Sequence, residues 1–341
     1  MAFITALVKV RSANLTEITT AFTGKAKSAS KYKRIQRFFR SFEFDFSQIS
    51  KLIVQFLPES ENWILSMDRT NWKLGKLNIN ILVVGIVYKS IAFPIVWISL
   101  SKQGNSNTAE RINIMNRFID IFSIAKINCL TADREFIGQL WFAYLLENLI
   151  HFRIRIRDNF QVTNARGQFV SVKTLFRDLK PGKYKILRGR RSVLGHRLFV
   201  IGSLAPDGEY LIVVTAKDPQ HAIEDYLQRW GIETLFGCLK SRGFRFESTH
   251  MTKADRIDKL VALLAITFCW CHLTGQWRHA HKPIKIKKHG RKEKSLFRYG
   301  LDFLREVLLN LPERSREFKN IIRILFKAFT IPNYTNMLDV K

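Results

Sequence analysis

Ile79–Ser99 reads INILVVGIVYKSIAFPIVWIS, two runs of β-branched and aromatic residues separated by the polar pair Lys89-Ser90. Runs of this length and composition around a two-residue break predict a β-hairpin, Ile79–Tyr88 and Ile91–Ser99. Working outward, Trp63–Met67 is a shorter apolar run that ends on Asp68-Arg69-Thr70-Asn71. Downstream, Glu110–Phe122 has helical periodicity and Asn128–Ala132 is a further strand ending on Asp133. The predicted order is βββαβ, with Asp68 on the first strand and Asp133 just after the fourth. If those strands are neighbours, about 5 Å separates their backbones and the two carboxylates meet. Phe136–Leu149 should form a helix, and His151–Arg157 an alternating strand.

The second informative stretch is Tyr226–Lys240, YLQRWGIETLFGCLK. On a continuous helix at 100° per residue, Tyr226, Arg229, Glu233 and Lys240 fall within a sector of about 60°. Ile232, Leu235 and Leu239 point the other way. A phenol, a guanidinium, a carboxylate and an ammonium would then project from one face of a buried helix, unless the face is an ordinary salt-bridged one. A carboxylate flanked by cations suits work beside anionic phosphates.

The spacing Y-x2-R-x3-E-x6-K resembles the signature helix of insertion-sequence transposases of the DDE type, a cut-and-paste bacterial family. The wording Asp133-Arg134-Glu135-Phe136 resembles the motif around that family's second aspartate, and Asp68 stands where its first belongs. The resemblance runs from about Trp63 to about Lys240. It implies an α/β, ribonuclease-H-like mixed sheet with an inserted β-subdomain, flanked by N- and C-terminal helical regions. It implies DNA cleavage at insertion-sequence ends and 3′-OH strand transfer into target DNA, with Asp68, Asp133 and Glu233 both catalytic and metal-binding. Three carboxylates without His or Cys suit two Mg²⁺ ions, with Mn²⁺ able to substitute. Tyr226, Arg229 and Lys240 would grip phosphates. The implied partners are double-stranded DNA, as transposon ends and target, and a second copy of the chain in a paired-end complex. Two other readings fit the residues: a ribonuclease-H-like nuclease or resolvase without strand transfer, and a non-catalytic DNA-binding relative. A Trp that stacks on a flipped base in hairpin-forming relatives has no counterpart, because residues 151–222 contain no Trp; either an aromatic such as Phe160, Phe169 or Tyr210 substitutes or the pathway differs.

Composition agrees with a polyanionic partner. Lys plus Arg number 56 against 28 Asp plus Glu, a net charge of +28. Four cysteines without paired spacing predict free thiols in a reducing compartment. Met1–Val10 lacks the long apolar core of a secretory signal, so a cytoplasmic, nucleoid-associated protein without membrane contact is expected. Leu260–Leu273 is apolar but short for a bilayer and reads as a core helix. The Cys269-Trp270-Cys271-His272 sequence within it reads as packing, not as a metal site.

Five regions follow: a basic helical DNA-binding region (1–58), the first part of the catalytic domain (59–158), the inserted β-subdomain (159–217), the completion of the catalytic domain (218–276), and a basic segment with closing helices (277–341). In the first, Asn14 is placed to cap a helix through Thr20. Gly24 breaks the pattern, and Ser28 or Ser30 starts a second helix through Phe42. That helix carries Lys31, Lys33, Arg34 and Arg37, candidate DNA contacts; the pair is either a helix-turn-helix or a plain hairpin with a solvated basic face. Arg278–Arg298 reads as a basic loop, and helices are expected near Leu301–Leu309 and Phe318–Phe329. Trp72 and Trp230 are both read as buried packing.

Overall fold

The computed structural model describes residues 1–327. The chain opens with four helices: α1 (Ala2–Val10), α2 (Leu15–Thr20), α3 (Ser28–Ser41) and α4 (Phe46–Gln55). Three strands follow, β1 (Trp63–Leu74), β2 (Leu77–Tyr88) and β3 (Ile91–Ser99), then α5 (Thr108–Phe122), β4 (Ile127–Ala132), α6 (Gln139–Glu147) and β5 (Phe152–Ile156). Six shorter strands come next: β6 (Gln161–Thr163), β7 (Phe169–Ser171), β8 (Tyr184–Ile186), β9 (Arg191–Val193), β10 (His196–Leu204) and β11 (Tyr210–Thr215). The rest is helical: α7 (Ala222–Leu227), α8 (Trp230–Leu239), α9 (Ala254–His281), α10 (Leu296–Leu309) and α11 (Ser315–Lys327). The helix expected over Phe318–Phe329 is seen to Lys327; its last two residues lie outside the described residues.

Two compact units form. One is built from residues 60–71 and 80–234. Its sheet has the order β3-β2-β1-β4-β5-β11-β10-β8. The β2–β3 pair is antiparallel, while β1–β4 and β4–β5 are parallel. The 3-2-1-4-5 order with an antiparallel leading hairpin is the ribonuclease-H-like arrangement. Lys89 and Ser90 both take positive φ, 49° and 64°, as a two-residue hairpin turn of primed type requires. Pro94 has no N–H for the ladder, and the register shifts opposite it at Val84/Gly85. A Cβ on Gly85 would lie 2.9 Å from the Phe93 carbonyl oxygen, so only glycine fits that bulge. A capping box between Asn107 and Glu110 starts α5 two residues ahead of the predicted position.

The stretch expected as an inserted β-subdomain is rich in strands, and its two longest strands extend the main sheet. β11 pairs with the outer edge of β5 through Ile212↔Ile156 to Val214↔Ile154, and β10 pairs with β11. The free edge of β5 is an unpaired ladder that these apolar strands cover.

The other unit gathers residues 1–59, 72–79 and 235 onward. The described residues of the regions separated in the sequence reading as 1–58 and 277–341 therefore share one body. α9 is the one helix among the described residues long and apolar enough to cross a membrane, but 83% of its apolar window is buried in the protein, so it is a core helix. Cys269, Trp270, Cys271 and His272 are all buried there, and all four cysteines are free. α10 crosses α9 at glycines: a Cβ on Gly275 would come 1.9 Å from the Leu296 oxygen. Asn14 caps α2 by accepting from the Thr16 amide at 2.9 Å, as expected, and Gly24 (φ 101°) lies between α2 and α3. The basic loop is shorter than Arg278–Arg298, because α9 runs on through His281 and α10 begins at Leu296.

Candidate active site

β1 and β4 run parallel, and their last paired residues are Met67↔Ala132. Asp68 and Asp133 are the next residue on each strand, so the ladder delivers both carboxylates to the same end of the sheet. β1 does not stop at Asp68 but continues to Leu74. Asp68 Oδ1 accepts from its neighbour Arg69's amide at 2.7 Å, and Asp133 Oδ1 accepts from the Arg134 amide at 2.7 Å. The two aspartates are thus held by the same local device.

Tyr226 and Arg229 come from the opposite direction, above the sheet. α7 lies against β11, β5 and β4, with Tyr226 buried among Ile201, Val213 and Ala222. The Arg153–Asp225 ion pair (3.0 Å) pins α7 to β5, and Arg153 also donates to Thr215 Oγ1 and the Lys217 carbonyl. Burial pushes the Tyr226 hydroxyl up to about 12, so it stays protonated and donates to Asp133 Oδ1 at 3.3 Å.

The continuous helix expected from Tyr226 to Lys240 is broken. α7 ends at Leu227 and α8 begins at Trp230, with three-residue hydrogen bonds across the join, such as Arg229 N–H to Tyr226 O at 2.9 Å. Gly231 lets α8 approach the β3 hairpin: a Cβ there would meet the Ile91 and Ala92 backbone at 3.0–3.2 Å. This contact sets where the chain restarts, and two expectations change with it. Trp230, read as buried, is 66% exposed, whereas Trp72 is buried as expected and packs on Phe246. Lys240 lies past the end of α8, within the helical unit, where it pairs with Glu247 at 2.8 Å and stands over the Trp72 ring. The break separates it from the helix that carries Tyr226, while it follows Glu233 by seven residues along α8, its amide bonded to the Phe236 carbonyl at 2.9 Å.

Arg229 is the hub of the sheet unit's site. Its side chain is 7% exposed; Nη1 donates to Asp68 Oδ2 at 3.1 Å and Nη2 to Glu233 Oε1 at 2.5 Å. Its Nε is buried with no hydrogen-bond partner. Burial pushes the Asp68 carboxyl up to about 6; the Arg69 amide and Arg229 pull it down, while Glu135 and Asp133 push it further up. The site therefore concentrates more negative charge than Arg229 alone compensates.

Three oxygen donors of this kind suit a hard divalent cation. Arg229 already engages one oxygen of Asp68 and one of Glu233, and no three such side chains among the described residues are placed around one point as a metal site. The donor chemistry fits a metal, and a cation between Asp68 and Glu233 would compete with Arg229 for those two oxygens.

Sequence reasoning missed a second tie between the aspartates. Arg69, beside Asp68, makes a two-pronged bridge to Glu135, two residues past Asp133, at 3.1 Å on each prong. Arg69 also donates to Asn80 and Asn105, and buried Arg111 braces the Glu135 and Ile137 carbonyls. The signal was present in the motifs themselves: Asp68-Arg69 and Asp133-Arg134-Glu135 carry the oppositely charged pair at offsets +1 and +2.

Residues 59–270, well over half the chain, match the family described as the transposase DDE domain. The chain belongs to this family. The match begins just before the strand that carries Asp68 and ends inside α9, so it takes in the sheet unit of this DDE transposase and part of its helical unit. Among solved structures, it is similar to a piggyBac transposase in a synaptic complex with hairpin DNA, at 12% identity and a TM-score of 0.48, over 95% of this chain and 75% of that one. No curated protein matches the sequence.

Proposed function

We propose that this transposase cleaves DNA at the ends of an insertion sequence and joins the freed 3′-OH to a target, with Asp68, Asp133 and Glu233 as the catalytic carboxylates. The observation that carries the reading is the parallel β1–β4 register, which brings Asp68 and Asp133 out side by side while Arg229 draws Glu233 to Asp68. Two Mg²⁺ or Mn²⁺ ions held by the three carboxylates would neutralise charge on the attacking and leaving oxygens. Arg229 binds and orients: a guanidinium with an unused Nε–H can take up phosphate oxygens as it releases the carboxylates. Tyr226 keeps its proton and holds the Asp133 carboxylate in place. Lys240, half-buried and paired with Glu247 in the helical unit, would be a further phosphate contact. Double-stranded DNA is the substrate, and a second copy of the chain in a paired-end assembly would hold both ends.

The test is an assay with precleaved terminal DNA, a supercoiled target plasmid and Mg²⁺. Joined products are expected from the wild type, and Asp68→Ala, Asp133→Ala and Glu233→Ala should each lose cleavage and joining while still binding ends. Cleavage without joining under conditions that pair the ends would identify a nuclease and overturn the strand-transfer reading. Activity that survives chelation would overturn the metal assignment.

A further inference from the structure

Away from the carboxylates, in the helical unit, α3 and the start of α9 border a trough of about 630 Å³. Ser30, Lys33, Gln36, Arg37 and Arg40 line it from α3, and Arg256 from α9. On α3 these positions follow the three- and four-residue spacing of a single helical stripe. Lys33 to Arg40 spans seven residues, about 10 Å along the axis. That is close to the axial rise of three steps along one DNA strand, at about 3.4 Å each.

The charge there is uncompensated. No acidic side chain lines the trough, and among the described residues none of Lys33, Arg37, Arg40 and Arg256 has an ion-pair partner. Arg256 Nε is buried without a hydrogen-bond acceptor, an arrangement that costs free energy unless an outside acceptor supplies the missing bond. Other cations of the same region are already engaged. Lys31, also expected as a DNA contact, donates to the Phe22 carbonyl at 2.6 Å. Lys259, one turn along α9 from Arg256, donates to the Phe39 carbonyl and pairs with Glu43, tying α3 to α9 and fixing the trough's two walls. Ser30 and Gln36 add neutral donors of the kind phosphate contacts use.

We infer that this trough is a phosphate-binding site for the backbone of duplex DNA, with Arg40 and Arg256 joining Lys33 and Arg37 in a sequence-independent grip. The inference rests on the proposed action on DNA and adds to it where the duplex is held and by which contact type. Cations of α3 that face Arg256 across a trough meet a strand of phosphates, whereas base reading needs side chains projecting from a helix free to enter a groove.

The experiment is fluorescence anisotropy with two unrelated duplexes across about 50–200 mM salt, on the full chain in the presence of chelator. Arg40→Gln/Arg256→Gln should lower the log–log salt slope by about 1.8, about 0.9 for each lost phosphate contact, and weaken both duplexes by the same factor. Lys180→Gln/Lys183→Gln, an equal loss of charge on the sheet unit, should leave the slope nearer the wild type. Lys33→Gln/Arg40→Gln, on the exposed face of α3, reads the same slope if Arg256→Gln does not fold. An unchanged slope, a fall equal to the control's, or a loss confined to one sequence would overturn the site while leaving the DNA reading intact. A wild-type chain that binds neither duplex overturns the proposed function and the trough with it.

Discussion

Replacing Arg229 with Met keeps the length of the side chain and deletes its charge. Asp68 is 16% exposed and loses its one cationic partner among the described residues, while Glu233 is 39% exposed and can turn to water. Breaking a buried pair by removing one partner costs about 3–5 kcal/mol, whereas an exposed pair is worth about 0–1 kcal/mol. Asp68 therefore sets the scale, and Arg229→Met should lose about 3 kcal/mol of stability in the metal-free protein. At about 2–4 °C per kcal/mol for a unit of 150–250 residues, that is a fall of roughly 6–12 °C in Tm. The assay is urea and thermal unfolding of the single variants and the double variant Arg229→Met/Asp68→Asn. Coupling of about 2 kcal/mol is expected with Asp68, and under about 1 kcal/mol with Glu233→Gln. If Arg229→Met unfolds within about 1 kcal/mol of the wild type, or if Asp68→Asn recovers nothing, Arg229 is not the countercation of this site and the reasoning fails.

Asp68 also sets a pH dependence. Its folded carboxyl sits at about 6, above the ordinary 3.8, so the fold holds a proton the unfolded chain releases. The stability from that proton is full below about 3.8 and is lost as pH rises through about 6. Urea midpoints of metal-free protein between pH 4 and 7 should fall less steeply for Asp68→Asn, and parallel slopes would contradict the assignment. Arg69→Lys cannot reproduce the two-pronged bridge to Glu135 and should lower kcat for cleavage more than it raises KM. The swap Arg69→Glu/Glu135→Arg should restore part of the loss, and no restoration would remove the bridge from the positioning role. Gly275→Ala places a Cβ 1.9 Å from the Leu296 oxygen and should destabilise the helical unit by about 3 kcal/mol or more, as read from its urea midpoint. A neutral result would mean that α9 and α10 can separate at little cost.

The strands were readable because β2 and β3 are covered on both faces and carry almost uninterrupted apolar sequence. β1 was read short because Arg69-Thr70-Asn71-Trp72-Lys73 alternates with charge on the open side, which looks like a loop when the partner strand is not visible. Asp68 and Asp133 were found because each closes an apolar run, a local signal. The break between Leu227 and Trp230 carries no Pro, and its cause is a tertiary contact of Gly231 with the β3 backbone. Extrapolating one helix across that break joined Tyr226 to Glu233 in a single helix and put Trp230 inside. The gathering of residues 1–59 with the C-terminal helices depends on contacts hundreds of positions apart, such as Arg305 Nε to the Lys9 carbonyl, for which no local pattern exists.

The pairing of β11 with β5 bears on how this chain can change over generations. A domain lodged in a loop can be lost or exchanged as a cassette. Here Ile201 on β10 and Val213 on β11 form the floor on which Tyr226 rests, so removing the insertion would take away the bed of α7 and, through it, the ring that donates to Asp133. The segment that holds the β6–β7 ribbon lies outside the main sheet and is joined to it more lightly, through Thr163 Oγ1, which accepts from the Ser192 amide at 2.8 Å. Lineages of this transposase should therefore differ in length between β5 and β8 while keeping β10 and β11 constant in length and apolar pattern. The insertion has become part of the chassis.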